Sequence, residues 1–167
     1  MIQKKVCMLG AFAVGKTSLV RRYVDSIFSE KYTTTIGVKI DKKVVHIGEQ
    51  ELALLLWDVY GEDTRKKVLP GYLRGMAGYL LVVDPTRPNT FHNAVSLNKL
   101  VNDTLGPKPF VLVMNKSDLK EDWEVEATEL QALVDVAVAV MDTSAKTGSG
   151  VNEMFKVLAK ALLPTNS

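Results

Sequence analysis

Short apolar runs alternate along this chain with stretches of helical periodicity, and that alternation narrows the fold more than any other feature. Lys4–Leu9, Ala77–Val83, Pro109–Met114 and Val136–Met141 have the character of strands. Lys16–Ser26, Asn89–Thr104, Glu121–Leu133 and Val151–Leu163 carry helical spacing. Parallel strands need crossover connections of about this length, so the sheet is expected to be mostly parallel. Val38–Ile47 and Glu51–Asp58 are two strands joined by a turn at Gly48, which adds one antiparallel edge. Val59–Gly75 has no clear period and contains Gly61, Pro70, Gly71 and Gly75; it reads as a loop with one broken helix. The expectation is a single α/β domain over residues 1–167, with ligands at the carboxyl ends of the strands.

Composition removes several other classes. With 47% apolar and 24% charged residues the chain is neither disordered nor of low complexity. Twenty-one basic residues against 19 acidic ones give no field that would select nucleic acid. No apolar stretch reaches the ~18 residues of a membrane span. The N-terminus lacks a signal-peptide pattern, and Ile2 does not suit myristoylation. The end, LLPTNS, has no cysteine for prenylation, so no lipid anchor is expected. Cys7 stands alone, as a reduced compartment permits. A cytoplasmic setting is expected.

The strongest local motif is Gly10-Ala11-Phe12-Ala13-Val14-Gly15-Lys16-Thr17, which matches G-x-x-x-x-G-K-[ST]. It follows a strand and opens a helix, as a P-loop must. Glycine backbone lets successive N–H groups surround phosphate oxygens, and the helix N-terminus adds a positive dipole end. Ala13, Val14, Gly15, Lys16, Thr17 and Ser18 are the candidate phosphate-binding residues. Lys16 suits the β- and γ-phosphates, and Thr17 offers a hydroxyl to Mg²⁺. Asp58, at the end of its own strand in Leu56-Trp57-Asp58-Val59-Tyr60-Gly61, is placed to hold Mg²⁺ through water. Gly61 offers a backbone N–H for the γ-phosphate.

Two further motifs choose the base. Asn115-Lys116-Ser117-Asp118 follows a strand. The Asp118 carboxylate suits the paired N1–H and 2-amino donors of guanine, a pair that adenine lacks. Asn115 can tie this loop to the P-loop, and the Lys116 stem can cover one base face. Thr143-Ser144-Ala145-Lys146 follows the next strand, with the Ala145 N–H available to guanine O6 and Lys146 on the other face.

In this order and spacing, GAFAVGKT, FSEKYTTTIGV, WDVYGE, YLRGMAGYLLVVD, NKSD and TSAK resemble the Ras superfamily of small GTPases, most closely its Rab- and Rho-like branches. The likeness runs from Lys4 to about Leu162. It implies a P-loop NTPase G domain, with a six-stranded mostly parallel sheet, one antiparallel edge strand and about five flanking helices. It implies a switch that binds GTP or GDP with Mg²⁺ and hydrolyses GTP. By the same resemblance Thr35 is the switch threonine that binds Mg²⁺ alongside Thr17, and Phe28 packs against the guanine. Phe28–Val38 and Val59–Gly75 correspond to switches I and II, through which effectors and regulators would bind. Lys16, Thr35, Gly61 and Glu62 are the candidate catalytic residues.

Three departures stand out. Switch II in the family usually reads D-x-A-G-Q-E; here it reads Asp58-Val59-Tyr60-Gly61-Glu62-Asp63. An ionised Glu62 accepts hydrogen bonds but cannot donate them. Phe12 replaces a small residue beside which an activating arginine finger would insert, a device worth ~10³–10⁵ in rate. Slow intrinsic hydrolysis and resistance to such an activator are therefore expected. The absent prenylation signal fits a bacterial or otherwise non-prenylated member, or a chain shortened before its tail. The alternative reading is a GTP-binding interaction module with little or no hydrolysis. Trp123 is either a partner contact or a core anchor, and His46 and His92 lack metal-ligand spacing.

Overall fold

Alternation along the central strand decides which side of the sheet each residue enters. In a computed structural model of the chain, residues 1–11, 13–24, 32–33, 38–59, 69–124 and 127–164 are described. In β1 (Ile2–Gly10), Val6 and Met8 enter one apolar cluster, while Cys7 and Leu9 enter the other. Each fully buried aliphatic side chain of this kind stabilises the fold by roughly 1.5–3 kcal/mol.

The elements follow in the order α1 (Lys16–Tyr23), β2 (Tyr32–Thr33), β3 (Val38–Ile47), β4 (Gln50–Val59), α2 (Leu69–Tyr72) and β5 (Met76–Val83). Then come α3 (Asn89–Leu105), β6 (Phe110–Met114), a 3₁₀ turn (Ser117–Asp122), α4 (Ala127–Val136), β7 (Ala139–Asp142) and α5 (Val151–Leu162). The sheet order is β2-β3-β4-β1-β5-β6-β7. β1 runs parallel to both β4 and β5, and β6 and β7 continue the parallel set. β3 is antiparallel to β4 and to the two-residue β2. The six expected strands and five α-helices are thus present, with β2 as a short addition at one edge.

Helices cover both faces of the sheet. On one side α1 and α5 pack on Val6, Met8, Leu54, Leu56, Leu80 and Val82. α5 does so through Val151, Met154, Phe155, Leu158, Ala159 and Leu162, an i, i+3, i+4, i+7 stripe. On the other side Phe91, Ala94, Leu97 and Val101 of α3 join Leu130 and Leu133 of α4 over Cys7, Leu9, Leu81 and Leu112.

Several boundaries differ from the periodicity. α1 stops at Tyr23 because Val24 is extended (φ −88°, ψ 111°). The segment expected as one helix from Glu121 is split between the 3₁₀ turn and α4, which continues to Val136. β7 therefore begins later, at Ala139. The β3–β4 turn forms where expected, with Gly48 at φ 63°, a left-handed conformation that costs glycine little. Within 59–75 a single four-residue helix, α2, is described. No helix among the described residues is long and apolar enough to cross a membrane.

Candidate functional site

The phosphate loop sits at the carboxyl end of the central strand, between β1 and α1. Ala13 (φ 61°) and Gly15 (φ 103°) both adopt left-handed backbone. Such alternation of backbone hand is what curves successive N–H groups around an anion. Gly15 has a second constraint: a Cβ there would lie 2.3 Å from Asn115 Nδ2. Lys16 Nζ donates to the Gly10 carbonyl at 2.8 Å, spanning the loop. The first turn of α1 holds no acidic residue, so nothing in it repels an anion at that terminus.

Asp58 reaches the same place from β4, whose register sets it beside Met8 of β1. Thr17 Oγ1 donates to Asp58 Oδ2 at 2.5 Å. Asp58 is fully buried, and its Oδ1 has no hydrogen-bond partner among the described residues. Burial pushes its carboxyl above the usual range, against the opposing pull of the Thr17 bond and the Lys16 and Lys39 charges. A buried carboxylate with an unmet oxygen next to a threonine hydroxyl is an oxygen donor set, which suits a hard cation such as Mg²⁺.

The base side is organised around Asn115, which is 2% exposed. Its Nδ2 donates to the Val14 carbonyl at 2.8 Å, and its Oδ1 accepts from Thr143 Oγ1 at 3.1 Å. One side chain therefore joins the P-loop to the loops after β6 and β7. Ser144 Oγ donates to Asp118 Oδ1 at 2.8 Å and accepts from the Thr147 N–H at 3.1 Å. The Asp118 carboxylate is thereby oriented at an exposed position. Gly15, Ser18, Asn115, Lys116, Asp118, Leu119, Ala145 and Lys146 line a cavity of about 500 Å³. That volume lies within the range of small-ligand sites.

Motif reading missed three contributors. Asp84, at the end of β5, is fully buried and accepts from Lys116 Nζ at 2.6 Å, Arg87 Nε at 3.1 Å and the Thr86 hydroxyl and N–H. Burial pushes its carboxyl up, but these hydrogen bonds outweigh it and hold the group below the usual carboxylate range. Lys116 has left-handed backbone (φ 64°), uncommon for a residue with a side chain. The Asp84 ion pair and the Trp123 Nε1 bond to the Lys116 carbonyl (3.0 Å) fix that conformation. Trp123 is thus an anchor, packed on the α3–α4 cluster. Thr143 and Leu119 are the other two omissions. The apolar run ending in Asp84 was the available signal for the first; the others required the folded loops.

Phe12, Phe28, Thr35, Tyr60, Gly61 and Glu62 lie outside the described residues. Among the described residues no three His, Cys, Asp or Glu side chains form a metal-binding group. His46 instead lies 3.7 Å from Glu51 on the exposed β3–β4 hairpin. Burial pushes the Cys7 thiol up to about 12 against the nearby Lys5 charge, so it remains an unreactive core residue.

The family model described as "Ras family" matches residues 5–164. The chain belongs to the Ras family. It is 34% identical over 161 residues to Ras-related protein Rab-4 of Dictyostelium discoideum, covering 95% of this chain and 78% of that protein. It is 35% identical over 160 residues to Ras-related protein SEC4 of Saccharomyces cerevisiae, with 95% and 74% covered. Against Ras-related protein Rab-21 of Geodia cydonium it is 36% identical over 167 residues, with 99% and 73% covered. This Ras-family chain is therefore a Rab-like small GTPase, a GTP-binding switch that hydrolyses GTP, uses Mg²⁺ and acts through effector and regulator proteins.

Proposed function

We propose that the chain is one G domain whose guanine nucleotide lies along the Val14–Asn115–Asp118 axis, and that it hydrolyses GTP slowly. The observation that carries the placement is the Asn115 side chain, which bonds to the P-loop carbonyl of Val14 and to Thr143 in the same geometry. In this reading Asp118 accepts from guanine N1–H and the 2-amino group. The Ala145 N–H meets O6, and the Lys116 and Lys146 stems flank the base. By the family resemblance Phe28 would pack against its edge.

The P-loop amides and Lys16 take the phosphates. Thr17 and Thr35 would hold Mg²⁺ directly and Asp58 would hold it through water. The bound cation supplies positive charge to the β- and γ-phosphate oxygens. In hydrolysis, water adds to the γ-phosphorus as its bond to the bridging oxygen breaks, and GDP leaves. Lys16 and the amides of the P-loop and Gly61 meet the charge that develops. This is electrostatic stabilisation, with no covalent enzyme intermediate.

Glu62 and Phe12 support the slow rate. Glu62 can accept a hydrogen bond from the attacking water but, while ionised, gives none to the phosphoryl oxygens. Phe12 stands in the sequence where the family carries a small residue beside which an arginine finger would insert. At their limit the same residues favour a GTP-bound interaction module with almost no turnover. Effectors and regulators would read residues 28–38 and 59–75. A cytoplasmic setting, with GTP and Mg²⁺ at hand, fits the free buried Cys7.

Single-turnover hydrolysis of bound GTP tests the rate. Glu62→Gln should raise it, and Phe12→Gly should restore response to an arginine-finger activator. Unchanged rates in both variants, with and without activator, would contradict the roles given to these residues.

A further inference from the structure

A second buried charge pair lies next to the Asp58–Thr17 site. Lys39 and Asp58 are directly opposite each other in the antiparallel β3–β4 register. Side chains so paired share a face, with Cβ atoms ~4.5–5.5 Å apart. Asp41 is two residues along β3 on that face, opposite Leu56 of the α1–α5 cluster. Lys39 Nζ lies 3.5 Å from Asp41 Oδ2, and the two side chains are 12% and 1% exposed. Neither Asp41 oxygen has a hydrogen-bond partner among the described residues.

Such a pair is a poor device for stability. Desolvating each ion costs several kcal/mol, and the attraction offsets this only when hydrogen bonds meet the remaining lone pairs. Among the described residues no such bonds reach Asp41. The location suggests a different role. The Lys39 ammonium, restrained by Asp41, is a cation on the same face as the carboxylate that serves the metal site and directly opposite it in the strand register. Any second cation near Asp58 must share that carboxylate with it. Asp41 both restrains the ammonium and offsets its charge.

We infer that the Lys39–Asp41 pair sets the Mg²⁺ affinity of the Asp58–Thr17 site, with Lys39 weakening cation binding and Asp41 moderating Lys39. This rests on the reading of Thr17 and Asp58 as Mg²⁺ residues. Lys39 and Asp41 are positioning residues that act through Asp58; neither touches the cation. Because Mg²⁺ helps hold the nucleotide phosphates, the pair also sets the free Mg²⁺ range over which GDP release responds.

The test is release of a fluorescent GDP analogue from the full chain across buffered free Mg²⁺ concentrations, read as the midpoint of the Mg²⁺ dependence. Removing or exposing one nearby charge should move the midpoint about tenfold. Lys39→Met should move it to lower Mg²⁺, and Asp41→Asn to higher Mg²⁺. Lys39→Arg should leave it near the wild-type value. A purely structural role would speed release in the Met and Asn variants alike without these opposed shifts, and that result would overturn the inference. If Asp41→Asn does not fold, equal midpoints for the Met and Arg variants overturn it on their own. Asp58→Asn serves as the reference and should raise the midpoint. If it does not, the Mg²⁺ reading itself fails and the inference falls with it. If it does while Lys39 and Asp41 variants match wild type, the inference alone fails.

Discussion

Asn115 Nδ2 donates to the Val14 carbonyl at 2.8 Å across 101 residues of sequence. The phosphate loop and the base loop are therefore one mechanical unit. Asn115→Ala would leave Val14 and Thr143 without this partner, at a cost of ~1–3 kcal/mol for each buried group left unmet. GDP dissociation should become at least about tenfold faster. Stopped-flow measurement of a fluorescent GDP analogue checks this, and a rate equal to wild type would contradict the tie.

In the proposed site base choice falls to Asp118, whose carboxylate accepts from Ser144 Oγ at 2.8 Å. Inosine nucleotides lack the 2-amino donor, so wild type should prefer GDP over IDP by about tenfold or more, the range of a charge-assisted hydrogen bond. Asp118→Ala should weaken GDP binding and remove that preference. Competition titrations with GDP, IDP and ADP measure both effects.

Asp84 gives a pH-dependent contribution to stability. Its folded-state carboxyl is held below the usual range despite burial, by bonds from Lys116, Thr86 and Arg87. The contribution is fully present above the unfolded pKa, ~3.9, and is lost as pH falls through the lower folded value. Asp84→Asn should cost roughly 1–3 kcal/mol at pH 7. The gap from wild type should narrow as the pH is taken below ~3.9. Urea unfolding at neutral and acid pH measures the gap.

Asp58 has the opposite sign. Burial raises its folded-state pKa, so its charge opposes folding above the unfolded pKa, and the penalty is relieved as pH falls through the folded value. Asp58→Asn removes the charge while keeping an acceptor for Thr17. In EDTA at pH 7 the variant should melt at a higher temperature than wild type. Thermal scans with and without Mg²⁺ should show wild type gaining more from the cation. Equal gains would contradict the role given to Asp58.

What the sequence disclosed depended on how local each device is. Gly10–Thr17 was legible because the loop, the helix start and the lysine are contiguous, and the backbone angles at Ala13 and Gly15 follow from them. The short apolar run Lys4–Leu9 likewise announced the strand β1. Asp84 was hidden because its meaning comes from Lys116, 32 residues away, folding back through a left-handed turn. The Lys39–Asp58 proximity was hidden for the same reason: it exists only once β3 and β4 take their register. The division between the 3₁₀ turn and α4 was also lost, since Glu121–Leu133 reads as one helical segment.

The identity and amount of nucleotide released from the purified protein on denaturation test the proposed site most directly. A single guanine nucleotide per chain is expected, with GTP retained alongside GDP as the proposed slow turnover requires. An adenine nucleotide in its place, or a chain that retains and binds no guanine nucleotide in the presence of Mg²⁺, would contradict the assignment of the Asn115–Asp118 loop and the P-loop to one guanine site.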